Sequence, residues 1–361
     1  MKINSEVSII GFPYTATENS GRGIDRYVKI LSDNLNRLKV NFQLIDDGIV
    51  HADFWRIVFS APKILLRIYK SKSNVYHAVD PIGTLLLALL FKSPTITTIH
   101  DTIPISSEIN GLGLRMIFLR RLMKFSLNFS SKIIVPFEVT KDELITKFQV
   151  NPEKIFVVNY GFDFPDLVQK GNSVIDRKNF KILFMGGGTP IPRGLNMVLE
   201  TYLRLKNLKE NIQLTLVGNS KKIISALKIL PGFEQDGNVE ILDFIPEGNI
   251  YAFISNYDVF IYPSSLGFSY LVVQAMYSGV PTVVANSRDM LEYVGIAGIC
   301  CPPGDLLCFV REIERIITDE TYKNEFKNEG IKKAQSLSGF SMAKRSKEVY
   351  DLATEEMIKS R

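Results

Sequence analysis

The chain has 361 residues, 46% hydrophobic and 22% charged, with a formal net charge of +5. That length favours two domains over one, and the composition is that of a soluble globular protein. The longest apolar run, Leu85 to Phe91, is far too short to span a bilayer.

The first residues, MKINSEVSIIGFPY, lack the apolar region and small-residue cleavage site of a signal peptide, so a cytoplasmic protein is expected. Cys300, Cys301 and Cys308 fit neither a disulfide framework nor a zinc spacing, and are expected to be thiols in a reducing compartment. With three histidines, His51, His77 and His100, no histidine-based metal site is expected.

Short β-branched runs alternate with helical patterns along the chain. VSIIGF reads as a strand, followed by a glycine loop and the helix GIDRYVKILSDNLNRL. FQLI, a helical block broken early by Pro62, VYHAV, the helix PIGTLLLALLF and TITTIHD come next. A basic helix, KIIVP, the helix KDELITKF and the strand IFVVNYG close this half. After the polar stretch DFPDLVQKGNSVIDRKN the pattern restarts with KILFMGGG, then LNMVLETYLRL, IQLTLVG, KKIISALKIL, VEILDF, DVFIYP, a helix and TVVA. Such alternation implies parallel sheets covered by helices on both faces. The expected fold is therefore α/β, with two Rossmann-like doubly wound domains facing across a cleft. They take residues 1–165 and 166–340, and a helix at 341–361 packs back across the hinge. Ligands of such sheets gather at the carboxyl ends of the strands.

The charge is uneven. Between Phe54 and Lys132 there are eleven Lys or Arg and three Asp or Glu, a local net of +8. Arg56, Lys63, Arg67 and Lys70 share one helical face, and Arg120, Arg121 and Lys124 stand among Leu112, Leu114, Ile117, Phe118, Leu122 and Phe125. Basic amphipathic stretches of this kind suit either a solvated surface or an anionic membrane. Nucleic acid is not expected, because no aromatic–basic interleaving accompanies the charge.

Three loops after strands carry small residues suited to an anionic ligand. In TENSGRGIDRY, Gly21, Arg22 and Gly23 open a helix, where free N–H groups attract phosphate. In FMGGGTPIPRGLN, Gly186, Gly187 and Gly188 precede Arg193 at a helix entrance, and a guanidinium fork suits a diphosphate. In YPSSLGFSYLVVQAMYSGVPTVVA, Ser264, Ser265, Ser269 and the amides near Tyr270 and Leu271 are donors at another helix start. His100, just past an apolar strand, is placed to hydrogen-bond a substrate hydroxyl or leaving phosphate.

Together these segments resemble a family 4 glycosyltransferase of GT-B arrangement. SGRGIDRYVKILSDNL is similar to the family's first glycine loop and helix, and VYHAVDPIGTLLLALLFKSPTITTIHD to its segment ending in His-Asp. KIIVPFEVTKDELITKFQVNPEKIFVVNYGFD, QAMYSGVPTVVA, PPGD and FSMAKRSKEVY match in order and spacing. The resemblance implies retaining transfer of a sugar from a nucleoside diphosphate, with no cofactor or essential metal. The donor sits in the C-terminal domain and the acceptor in the N-terminal one, and the basic helices there make a lipid-linked or glycan acceptor the expectation. It implies that His100 lies at the donor sugar, Gly21 to Gly23 border the reacting phosphate, and Phe244 and Ile245 pack at the base. Arg193 takes a family lysine's place at the diphosphate, while Gly188 stands where the first cation is usual.

The chain also departs from the family in the loop that follows DVFIYP. The family's two glutamates there, one toward sugar hydroxyls and one on the ribose, correspond to Leu266 and Gln274. Gln274 still hydrogen-bonds, whereas Leu266 does not. Two readings follow: an active enzyme whose donor needs fewer polar contacts, or a weak or inactive partner or scaffold. A nucleotide-sugar epimerase would need more carboxylates and histidines, and a phosphorylase a pyridoxal-binding lysine that no segment resembles. The expected site is therefore a nucleotide-sugar site of an enzyme, with peripheral contact at the inner face of an anionic membrane.

Overall fold

The computed structural model describes residues 6–11, 23–45, 54–102, 114–165, 179–186, 194–208, 211–227, 236–264 and 268–359. The chain divides into two compact units, Met1–Asp163 with Leu337–Arg361, and Phe164–Ser336.

The first unit alternates β1 (Val7–Ile10), α1 (Gly23–Arg37), β2 (Phe42–Ile45), α2 (Phe54–Lys70), β3 (Val75–Ala78) and α3 (Pro81–Leu89). It continues with β4 (Thr95–Thr98), α4 (Leu114–Phe129), β5 (Lys132–Val135), α5 (Glu138–Phe148) and β6 (Ile155–Val157). Its sheet has the order β2-β1-β3-β4-β5-β6 and every pairing is parallel. The inner strands β1, β3, β4 and β5 are buried along their whole length, as strands covered on both faces must be. The threonines of β4 are accommodated by pairing: Thr97 Oγ1 lies 2.6 Å from both Thr84 Oγ1 and Ser130 Oγ.

The helix entrances follow local chemistry. At α3, Asp80 accepts from the Gly83 amide at 2.7 Å and Pro81 occupies the first helical turn. In α2 the structure departs from expectation, since the helix runs through Pro62 without a break. Pro62 is exposed, and a proline on the solvent side of a helix is tolerated there.

The second unit contains β7 (Phe180–Met185), α6 (Leu195–Leu208), β8 (Ile212–Val217), α7 (Ser220–Leu227), β9 (Val239–Leu242), α8 (Ile250–Ile254) and β10 (Val259–Tyr262). Then come α9 (Tyr270–Tyr277), β11 (Thr282–Ala285), α10 (Arg288–Val294), β12 (Ile299–Cys301), α11 (Leu306–Thr318) and α12 (Glu320–Ser336). The order β12-β11-β10-β7-β8-β9, again all parallel, is that of a doubly wound dinucleotide-type sheet. Its core joins Phe184, Tyr202, Leu214, Val259, Ile261 and Phe309 across sheet and helices.

The last helix, α13 (Gly339–Lys359), belongs to the first unit, where it packs along α1 and touches β3 and β5. Two segments of that unit run side by side: the Phe162 amide donates to the Leu337 carbonyl and the Gly339 amide to the Phe162 carbonyl, both at 2.9 Å. A Cβ on Gly161 would lie 2.5 Å from the Gly339 Cα, so this approach requires glycine.

The cysteines differ from expectation. Cys301, at the end of β12, is joined to Cys308, in the first turn of α11, with Cα atoms 5.7 Å apart; Cys300 stays free. The turn at Pro302 to Asp305, closed by the Asp305 amide donating to the Pro302 carbonyl and followed by the Asp305 carboxylate capping α11 at the Cys308 amide, brings the pair together. The cysteines thus no longer argue for a reducing compartment. Among the described residues no helix is long and apolar enough to cross a membrane.

Candidate functional site

Both sheets reverse their winding once, and such switch points open a crevice at the strands' carboxyl ends. In the second unit the reversal lies between β7 and β10. The loops that follow these strands are the two that the sequence singles out as anion-binding, FMGGGTPIPRG and YPSSLGFS.

The loops meet at Gly194 and Pro263. Gly194 has φ of +85°, and a Cβ there would lie 2.7 Å from Pro263 Cγ. No side chain fits, so the entrance of α6 is pressed against the end of β10. Arg193, the residue just before this contact, and Gly187 and Gly188 lie outside the described residues, as do Ser265 and Leu266.

Helix α9 starts beside that contact. Ser269 caps it, its Oγ accepting from the Leu271 amide at 3.3 Å. The Leu271 amide is thus engaged by its own cap, while the Ser269 hydroxyl keeps its O–H as a donor. Tyr270 forms the first helical residue, and Phe268 packs on Tyr293 with ring centroids 4.3 Å apart, which anchors the loop's far end.

Gln274, one turn further along, is 2% exposed, and its Oε1 has no hydrogen-bond partner among the described residues. A buried acceptor left unsatisfied costs about 1–3 kcal/mol, so it is a place where an incoming hydroxyl gains most. Phe244, 53% exposed, and the half-buried Ile245 follow β9. Beside them Asp243 accepts from the Ser220 amide at 2.9 Å, a bond that holds its carboxyl below the usual range and fixes the start of α7.

In the first unit Gly23 opens α1, while Gly21 and Arg22 lie outside the described residues. His100 follows β4. Its Nε2 lies 2.9 Å from the Val79 carbonyl, which only accepts, so Nε2 carries the proton. Nδ1 is then the acceptor for the Tyr160 hydroxyl at 2.8 Å. Burial lowers the His100 pKa to about 4 against the opposing pull of that carbonyl, and the ring is neutral at ordinary pH. Both ring nitrogens are thus engaged within the unit in this structure.

Sequence reasoning missed the partners of that histidine. Tyr27 stands edge-on to His100 at 5.1 Å, and its hydroxyl lies 3.3 Å from Thr98 Oγ1. Thr98 in turn meets Nε2 of the fully buried His77 at 2.8 Å, and His77 Nδ1 meets the Tyr350 hydroxyl at 2.9 Å. Burial, with the nearby His100, lowers the His77 pKa to about 3. Among the described residues no cluster of His, Cys, Asp and Glu could hold a metal ion.

A sequence model of the glycosyl transferases group 1 matches residues 179–319, and one of glycosyltransferase family 4 matches residues 28–164. The chain is 22% identical to the capsular polysaccharide biosynthesis glycosyltransferase CapM of Staphylococcus aureus, over 76% of this chain and 75% of that one. It is 24% identical to the MMP alpha-(1->4)-mannosyltransferase of Mycolicibacterium hassiacum, over 78% and 71%. Among solved structures, Anabaena HepE in complex with UDP and glucose superposes with a TM-score of 0.73 at 14% identity, covering 96% of this chain and 99% of that one. Sucrose-phosphate synthase from Thermosynechococcus elongatus does so with a TM-score of 0.75 at 14% identity, over 99% and 100%.

Proposed function

Since the chain belongs to the group 1 glycosyltransferases of GT-B fold, we propose that it transfers a sugar from a nucleoside diphosphate to a lipid-linked or glycan acceptor. The transfer retains configuration at the anomeric carbon and needs no metal. The bond from the anomeric carbon to the diphosphate breaks, the acceptor oxygen bonds on the same face, and the acceptor proton leaves with the diphosphate.

The observation that carries this reading is the contact of Gly194 with Pro263 at the switch point of the second unit. In the chain Gly187, Gly188 and Arg193 lead up to Gly194 and Ser265 follows Pro263, and in this proposal they offer a diphosphate backbone N–H groups, a hydroxyl and a guanidinium. Such fixed donors stabilise a departing diphosphate without a metal ion. Gln274, with its buried acceptor, takes a ribose hydroxyl, and Phe244 and Ile245 flank the base. Gly21 to Gly23 border the reacting phosphate. His100, bound at both nitrogens, acts as a positioning residue at the end of β4. The likeness to a capsular polysaccharide enzyme and to a glycosyltransferase-like structure holding UDP and glucose accords with a nucleotide sugar and a glycan acceptor.

The apolar Leu266 and uncharged Gln274 favour one second reading, a weak or inactive partner or scaffold. A panel of nucleotide sugars read by calorimetry and by nucleotide release separates the two. Binding with turnover supports transfer, and silence across the panel supports the scaffold. The basic helices of the first unit support a protein that works at the inner face of an anionic membrane.

A further inference from the structure

The ends of α2 and α3 carry a surface that the donor site does not use. Lys92 Nζ, just past α3, donates to the Ser71 carbonyl at 3.0 Å and the Tyr69 carbonyl at 3.4 Å, which draws the two helix ends together. There Tyr69 is 70% exposed, Leu66 53%, Leu89 58% and Phe91 90%. Lys63, Arg67, Lys70 and Lys72 are exposed around them, with Lys92 half-buried between. From residue 54 to 100 the one carboxylate is Asp80, spent on capping the opposite end of α3. Glu6 borders the patch through backbone bonds to Asn74 and Val75.

Phe91 makes the surface unusual. It has φ of +53°, in the turn that ends α3, where its amide donates to the Ala88 carbonyl. Glycine or asparagine is the ordinary occupant of that conformation, and bulky side chains avoid it. The other positive-φ residues besides glycine, among those described, are Lys39 and Gln149, both polar. An aromatic ring at that position, almost wholly in water, satisfies neither local preference nor the core. Exposed apolar patches ringed by charge mark contact surfaces.

We propose that this face rests on an anionic lipid bilayer, with Phe91, Tyr69, Leu66 and Leu89 entering the headgroup layer and the five cations meeting lipid phosphates. The charge selects this occupant. A second copy of the chain pairing two-fold through the patch would set cation against cation, whereas an anionic surface complements all five. The inference rests on the membrane-side reading of the transfer for its purpose and not for its test.

The test is flotation of the full chain with vesicles of phosphatidylglycerol and phosphatidylcholine, and with phosphatidylcholine alone. Association is expected with the anionic vesicles at low salt. It should weaken about tenfold or more in Phe91→Gly, which suits the backbone there and so keeps the fold. Each of Arg67→Glu and Lys70→Glu should lower it about fivefold or more, and by more than Arg121→Glu or Lys124→Glu on α4 does. No flotation of the wild type overturns the proposal. So does flotation that survives Phe91→Gly and both reversals, or a dimer in sedimentation that Phe91→Gly dissolves. Flotation needs no donor, so a chain that floats yet transfers no sugar sinks the transfer reading and keeps this one.

Discussion

The Tyr160 hydroxyl donates to Nδ1 of His100 at 2.8 Å, and the opposite nitrogen of the same ring donates to the Val79 carbonyl at 2.9 Å. The imidazole is thus fixed by the segment after β6 and the end of β3, with Tyr27 against its edge. If His100 positions the end of β4 for the donor sugar, Tyr160→Phe should lower kcat about tenfold, leave the donor KM nearly constant, and cost about 1 kcal/mol of stability. Steady-state kinetics beside a denaturation curve check this. A purely structural bond would lower the melting temperature and leave kcat alone.

His77 and His100 also set a pH dependence. Burial lowers their pKa values to about 3 and about 4, below the ordinary value near 6.5. The unfolded chain therefore binds more protons than the folded one between those values, and stability rises with pH there. Their contribution is complete above about pH 6.5 and is lost as pH falls toward 4, at about 1.4 kcal/mol per unit for each histidine. Urea midpoints measured across pH 4 to 7 should fall toward acid, and His77→Gln should flatten the slope. A midpoint constant across that range would contradict the burial argument.

Much of this fold is legible in the sequence. Strand–helix alternation with β-branched runs can only close as parallel sheets covered on both faces, and both sheets are of that kind. The glycine loops are equally visible, because Gly194 leaves a local mark in PRGLN. What escapes are pairings between residues distant in the chain or dependent on a turn. Tyr160 reads as part of a strand, yet its hydroxyl claims the histidine chosen as a substrate ligand. Cys301 and Cys308 show no framework, because only the turn between them makes the approach. Pro62 reads as a helix breaker, since sequence does not reveal that its face meets solvent.

Gly194→Ala tests the contact between the two loops of the second unit. The added methyl meets Pro263 Cγ at 2.7 Å on a backbone with φ of +85°. A proline ring at the end of a buried strand has little room to yield. A loss of about 1–3 kcal/mol is expected, together with weaker donor binding, read by thermal denaturation and calorimetry. Unchanged donor affinity would detach the contact from the site.

Arg193→Ala addresses the diphosphate. A guanidinium on a leaving diphosphate stabilises the charge that develops in transfer. Turnover should fall about a hundredfold or more with the melting temperature unchanged. Kinetics equal to the wild type would move the diphosphate elsewhere.

Gln274→Leu gives two effects of opposite sign. The Oε1 of Gln274 is buried and lacks a partner among the described residues. Replacing the amide with an apolar group of similar size removes an unsatisfied acceptor, and the chain without donor should be as stable as the wild type or up to about 1 kcal/mol more so. The same change removes the partner proposed for the ribose, so the donor KM should rise about tenfold. Glu at this position should move the donor KM the other way, because a carboxylate accepts from a hydroxyl more strongly than an amide does. A Leu variant that loses stability while binding donor normally would show that Gln274 serves the fold, and the ribose would then need another partner.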